Sequence, residues 1–284
     1  MRMLPSAVVN ENVKLMIGPG VLVDPLVFLS EVKSTRAESR SKIDRNCAII
    51  EEKHVREDKE GHLKETIGTT GTGTGPANSD RVMRIGRIAS DIKELSSYIG
   101  NVALLVNDAL DHGDFVLVEG TQGALLSLYH GNYPYVTSKD VCASGICSDV
   151  GIGPKRVDEV LVVFKSYLTR VGSGPLAGEL SAEETLRRGW EEYGSVTGRL
   201  RRAAPFNFEL ARYSLMLNSA TQVGITKLDS VFHEAAGARN YESLPREARE
   251  FITRIERELK TPVVFIGTGP DAEDIIDRRP DVKK

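Results

Sequence analysis

The chain has 284 residues, 40% hydrophobic and 27% charged, with a formal net charge of −3. That balance fits a globular protein with a sizeable core and offers no general attraction for nucleic acid or an anionic membrane. The longest apolar runs, VALLV (102–106) and VLVVF (160–164), are far too short to span a bilayer, and the opening MRMLPSAVV lacks a signal-peptide layout.

The N-terminal stretch begins abruptly, without the strand and glycine-rich turn that usually open an α/β domain. Cys47, Cys142 and Cys147 are odd in number and irregular in spacing. They read as reduced structural thiols of a cytoplasmic protein rather than a disulfide framework or a metal site. EEKHVREDKEGH (51–62) reads as an exposed charged loop or hairpin. IASDIKELSSYIGNVALLVNDALDHG (88–113) predicts one helix or two, closed by Gly113. FVLVE (115–119), VLVVF (160–164), QVGIT (222–226) and VVFIG (263–267) predict strands, their continuous hydrophobicity implying burial on both faces. FNFELARYSLMLNSA (206–220) and PREAREFITRIERELK (245–260) predict helices, with Pro245 at a first helical position and Lys260 in the last turn. The alternation predicts an α/β fold with a large, mostly parallel central sheet flanked by helices. No long linker divides the chain, so one domain is expected over residues 1–284.

Four segments could carry chemistry. IGTTGTGTGPANSDR (67–81) holds four glycines and four threonines between Gly68 and Gly75. Glycines let several N–H groups converge on an anion, and threonine hydroxyls add donors. There is no lysine, so the Walker pattern fails, and GxGxG after a polar segment is not the dinucleotide fingerprint. A flexible surface loop is the competing reading. VEGTQGALLSLYHGNYPYVTS (118–138) follows a predicted strand, where ligands of parallel sheets bind. Its Gln122 suits a base edge and its Thr137 offers a hydroxyl, while His130 reads as a structural residue. LTRVGSGPL (168–176) and YGSVTGRLRR (193–202) bring arginines beside a glycine-flanked loop, fit for carboxylate or phosphate. In ITKLDS (225–230) the carboxylate of Asp229 could accept from the ring N–H and amine of guanine, with the Lys227 stem flat on the base.

Together these segments resemble adenylosuccinate synthetase. IGTTGTGTGPANSD, EGTQGALLSLYHGNYPYVTS, TRVGSGP, GSVTGRLRR, TKLD and TGP follow the family's order, and the compact length and VTSKD are similar to the shorter archaeal-type members. The resemblance implies a P-loop-NTPase-like fold and a homodimer. It also implies a GTP-dependent carbon–nitrogen ligase that phosphorylates O6 of IMP and then lets the amine of L-aspartate displace the phosphate, with Mg²⁺ accompanying GTP. It further implies IMP binding by Thr70, Gln122, Thr137 and Arg199, with Arg84 reaching the partner subunit's IMP. Ser195, Val196, Thr197, Gly198, Arg199, Leu200 and Arg201 would form the loop that closes on aspartate. Arg201, Lys227, Leu228, Asp229, Gly267, Thr268 and Gly269 would bind GTP.

The family's opening GDEGKGK and GHT segments, which supply the base, a phosphate-binding lysine, a metal ligand and the catalytic histidine, have no match here. The expectation is therefore that an N-terminal portion is missing, that this chain supplies no catalytic residue and no metal ligand, and that alone it is inactive. A catalytically silent nucleotide-binding module is the alternative. AAPFNFE after GRLRR and LAGEL after TRVGSGP also depart from the family pattern.

Overall fold

In the computed structural model, residues 1–194 and 198–280 are described. They group into two compact units, Met1–Val157 and Asp158–Lys284.

The first unit contains β1 (Leu15–Ile17), β2 (Leu22–Val23), α1 (Pro25–Thr35), β3 (Ser41–Asp44) and β4 (Ala48–Ile49). It continues with α2 (Glu52–Glu60), α3 (His62–Thr66), α4 (Thr74–Met83), β5 (Ile99–Gly100), α5 (Val102–Asp111) and α6 (Ala143–Val150). β1, β3 and β5 form a parallel ladder in that order, and β2 pairs with β4, also in parallel. Leu15, Ile17, Val23, Phe28, Val32, Ile43, Ile49 and Leu95 pack the core between these ladders and α1. α1 begins where the Asp24 carboxylate accepts the N–H groups of Leu26 and Val27, with Pro25 needing no partner at the first turn.

The second unit contains β6 (Leu161–Lys165), β7 (Tyr167–Arg170), α7 (Ala182–Arg187), β8 (Arg202–Pro205) and α8 (Phe208–Asn218). β9 (Gln222–Thr226), α9 (Leu228–Val231), α10 (Arg246–Leu259), β10 (Val263–Gly267) and β11 (Ile275–Asp277) complete it. Its main sheet has the order β11-β10-β9-β6, parallel except for the β10–β11 edge, and β7 and β8 form a separate antiparallel pair. Val223, Ile225, Leu228, Ile252, Ile255, Val263 and Ile266 fill its core. The class is thus α/β, with parallel sheets flanked by helices.

Several sequence expectations need correction. FVLVE is not a strand: no residue from 114 to 121 carries a ladder assignment. Val116 and Val118 pack half-buried beside Val102, Val106 and Ile152, while Phe115 is 91% and Leu117 71% exposed. The period-two pattern is present, but among the described residues no neighbouring strand edge bonds to it. VLVVF forms β6 but lies at the sheet edge, so Leu161 and Val163 face solvent. The predicted helix at 88–113 is helical in the α sense only over α5; Lys93–Tyr98 is a 3₁₀ turn. Pro245 caps α10 rather than entering it. Most consequentially, the charged stretch 51–62 is helical: α2 is built of helix formers and turns two polar residues, His54 and Asp58, inward. The three cysteines are free. Burial pushes the Cys47 thiol up to about 12 and the Cys142 thiol up to about 11, so both stay protonated.

Candidate functional site

In the first unit the Gly/Thr loop leads directly into α4. Gly68, Gly71 and Gly73 take positive φ, and Gly73 is the residue that caps α4. A Cβ at Gly73 would lie 2.9 Å from the backbone nitrogen of Val55 and 3.1 Å from the carbonyl carbon of His54, so only glycine lets the loop approach α2 this closely. The hydroxyls of Thr70, Thr72 and Thr74 run in a row, with Thr70 to Thr72 at 3.2 Å and Thr72 to Thr74 at 3.0 Å. Below them, the buried carboxylate of Asp58 accepts from Thr69 Oγ1 at 2.8 Å and from the Gly73 N–H at 2.9 Å.

The segment holding Thr137 meets the same helix. The Thr137 N–H donates to the Leu126 carbonyl at 2.8 Å, and the next residue's hydroxyl, Ser138 Oγ, accepts from Asn78 Nδ2 of α4 at 2.6 Å. Gln122 is exposed and holds a left-handed backbone, φ 72°. Arg84 stands exposed past the far end of α4, about 15 Å along the helix axis from its first residue at 1.5 Å per residue. The structure therefore brings the Thr70 loop and the Thr137 segment to α4 and leaves Arg84 outside that cluster.

In the second unit, β9 and β10 run side by side in parallel, so their carboxyl ends fall at one edge of the sheet. Lys227, Leu228 and Asp229 leave β9 there, and Gly267, Thr268 and Gly269 leave β10. Lys227 is left-handed (φ 62°) and caps the short α9, its carbonyl accepting from the Ser166 hydroxyl. Leu228 is buried in the core. Thr268 is fully buried, its hydroxyl donating to the Ala238 carbonyl at 2.8 Å, so it holds the turn rather than facing outward. Asp229 Oδ1 is buried and has no hydrogen-bond partner among the described residues. A buried carboxylate oxygen without a donor is costly.

Ser195, Val196 and Thr197 lie outside the described residues. Among their described neighbours, the Gly194 N–H donates to the Arg199 carbonyl, the Gly198 N–H donates to the Gly194 carbonyl, and Tyr193 bridges Leu200. Arg199 and Leu200 are exposed. Arg201 lies 3.5 Å from Glu192 through Nη1, while its Nε is buried without a partner among the described residues.

Glu192 gathers more donors than the sequence suggested. Its carboxylate accepts from Lys165 Nζ at 2.6 Å and from the Tyr167 hydroxyl at 2.7 Å. Burial pushes this carboxyl up, but the Lys165 and Tyr167 hydrogen bonds outweigh it and hold Glu192 below the usual carboxylate range. Burial likewise lowers Lys165, and burial with the Glu192 hydrogen bond raises Tyr167. Sequence reasoning missed Lys165, Glu192, His54 and Asp58. The i, i+4 spacing of His54 and Asp58 is a signal that could have marked one helix face.

Among the described residues no group of three or more His, Cys, Asp or Glu side chains converges to hold a metal.

Fold and site first define a class: an α/β protein whose parallel strands, covered by helices, end in polar, glycine-rich turns. A sequence profile described as Adenylosuccinate synthetase matches residues 1–95, 87–235 and 231–276. The chain is 55% identical over 282 residues to the adenylosuccinate synthetase of Pyrococcus horikoshii, covering 98% of this chain and 83% of that one. It is 53% identical over 279 residues to that of Archaeoglobus fulgidus, with the same coverage. A solved structure of fully ligated adenylosuccinate synthetase from Plasmodium falciparum superimposes with a TM-score of 0.91 at 25% identity, over 98% of this chain and 88% of that one. A cyanophage S-2L succinoaminodeoxyadenylate synthetase superimposes with a TM-score of 0.77 at 23% identity, over 98% and 80%, a likeness of fold alone. The chain belongs to the adenylosuccinate synthetase family, GTP-dependent ligases of purine biosynthesis that act on IMP and aspartate.

Proposed function

We propose that this chain binds IMP with the phosphate on the Thr70 loop and Thr137, the base at Gln122 and Arg199 alongside, and reads GTP at the carboxyl edge of β9 and β10. Arg201, Lys227, Leu228, Asp229, Gly267, Thr268 and Gly269 are the GTP set, Leu228 and Thr268 acting by fixing the backbone. Residues Ser195 to Arg201 close on L-aspartate. The γ-phosphoryl group of GTP passes to O6 of IMP, and the aspartate amine then displaces phosphate at C6, giving adenylosuccinate; Mg²⁺ enters with GTP as part of the substrate. In this reading residues 1–284 act as one functional domain.

The observation that carries this reading is the orphaned, buried Asp229 Oδ1 beside Lys227. Guanine presents two donors, its ring N–H and exocyclic amine, that would satisfy that carboxylate; adenine presents an acceptor at the ring position. The test is nucleotide binding by Asp229→Asn. GTP affinity should fall by tenfold or more relative to ATP and XTP, as expected when hydrogen bonds to a charged group, each worth about 1.5–3 kcal/mol, are lost. Unchanged nucleotide preference would remove the assignment.

We also read Arg84 as acting on a second copy in a homodimer. Val82, Met83 and Ile85 around it are exposed apolar residues, and Arg84 lies far along α4 from the Thr70 loop. Sedimentation of the chain with and without Arg84→Ala, paired with IMP titration, tests this. A monomer that binds IMP as well as the wild type rules it out. A cytoplasmic location goes with the reading and is supported by the free thiols. The residues assigned here bind and orient, and none is assigned as the base. Adenylosuccinate formation by the chain alone should therefore be far below family rates, which a direct absorbance assay checks.

A further inference from the structure

The loop that carries Thr70 has a backbone that is unusually free to move in isolation. Glycines at 68, 71, 73 and 75 offer few side-chain anchors, and a glycine loses more conformational freedom on ordering than any other residue. A loop meant to grip a small anion gains affinity when it is already in place before the anion arrives. The molecule contains a device that does this, and it comes from α2, the helix that the composition disguises as a loop.

Asp58 is 2% exposed. A carboxylate at that depth needs donors, and it finds two in the loop itself: Oδ1 accepts from Thr69 Oγ1 at 2.8 Å and Oδ2 from the Gly73 N–H at 2.9 Å. These two residues bracket Thr70, Gly71 and Thr72. One rigid side chain thus pins both ends of the turn that displays the Thr70 and Thr72 hydroxyls. Gly73 is also the residue that caps α4, so the same carboxylate sits at the start of that helix.

One turn back on α2, His54 makes the second tie. The Glu51 N–H donates to His54 Nδ1 at 3.0 Å, so the ring proton lies on Nε2, which donates to Asp80 Oδ2 of α4 at 3.0 Å. Lys53 Nζ meets the same oxygen at 2.7 Å. α2 is therefore fastened to the loop through Asp58 and to the helix after the loop through His54 and Lys53. The loop cannot shift relative to α4 without breaking one tie or the other.

We propose that Asp58 is a positioning residue that preorganises the Thr70–Thr72 turn for the phosphoryl group of a purine 5′-monophosphate. The inference rests on the reading of this loop as the IMP phosphate site. Asp58 itself does not touch the ligand: both its oxygens are taken by the loop, which stands between the carboxylate and the anion.

The readout is phosphate discrimination, the ratio of the dissociation constants of inosine and IMP, measured by calorimetry on the full chain. Loss of fold alone does not move this ratio in the protein that remains folded. Asp58→Asn keeps the shape but presents an amide donor to one of two donors, and it should lower the ratio by at least tenfold. Thr69→Val removes one hydroxyl at constant volume and should lower it in the same direction, and Thr69→Ser, which keeps the hydroxyl, should restore it. Should Asp58→Asn fail to fold, the Thr69 pair decides. If the wild type prefers IMP to inosine and Asp58→Asn and Thr69→Val keep that preference, the positioning role is wrong while the phosphate site stands. If the wild type shows no preference for IMP, the reading of the loop is wrong and the inference goes with it.

Discussion

α2 and α10 are both made mostly of charged residues, yet they bury opposite chemistry. α10 turns Ala248, Ile252, Ile255 and Leu259 into the core of the second unit, a stripe at helical spacing with arginines and glutamates outside. α2 has the same geometry with the contents exchanged: its inward residues are His54 and Asp58, one turn apart. The first helix is held by area removed from water, which is tolerant of direction. The second is held by hydrogen bonds with fixed partners, which specify where the neighbouring loop and helix must lie. An inner face of that kind is costly to build for stability alone, and it borders the Thr70 loop.

The contrast can be broken at either helix. The largest effect on stability is expected at α10. Ile252→Ala should destabilise the second unit by about 2–5 kcal/mol, read as a lower urea midpoint, while the folded protein keeps its IMP preference. Gly73→Ala comes next. The positive φ and the contact with the Val55 nitrogen should cost about 1–3 kcal/mol, and here IMP preference should fall together with stability. If Gly73→Ala costs stability but leaves IMP preference intact, the α2 face is a packing device like that of α10. The smallest effect concerns acid. Hydrogen bonds from Lys53 and then His54 hold Asp80 below the usual carboxylate range. Its stabilising contribution is therefore full above the ordinary carboxylate value of about 3.9 and is lost as pH falls through the lower native value. Asp80→Asn should remove that contribution at neutral pH and so flatten the acid limb of the stability–pH curve, seen by thermal melts from pH 7 down to pH 3.

Parts of this were legible in the residues. QVGIT and VVFIG coincide with β9 and β10, because both are central, Val- and Ile-rich and buried on both faces. Lys227, Asp229 and Gly267 were expected at strand ends, and they stand there. FVLVE is likewise rich in apolar strand formers and is not a strand, since a ladder needs a neighbour and a neighbour is a non-local fact. VLVVF became an edge for the same reason. The charged run 51–62 misled most: nothing in EEKHVREDKEGH announces that His54 and Asp58 have partners waiting at residues 69, 73 and 80. Buried polar residues are written in the sequence only as the pair they make, and the second member lies elsewhere.

Gln122 and Lys227, from the two halves of the chain, share a backbone shape that suits glycine better than any residue with a Cβ. A laboratory search that rewards heat tolerance alone would drift toward glycine at both spots and erase the amide and the lysine stem that recognition is proposed to use. Selection for ruggedness and selection for recognition therefore pull against each other at two known positions, and a screen aimed at either property should hold those two fixed.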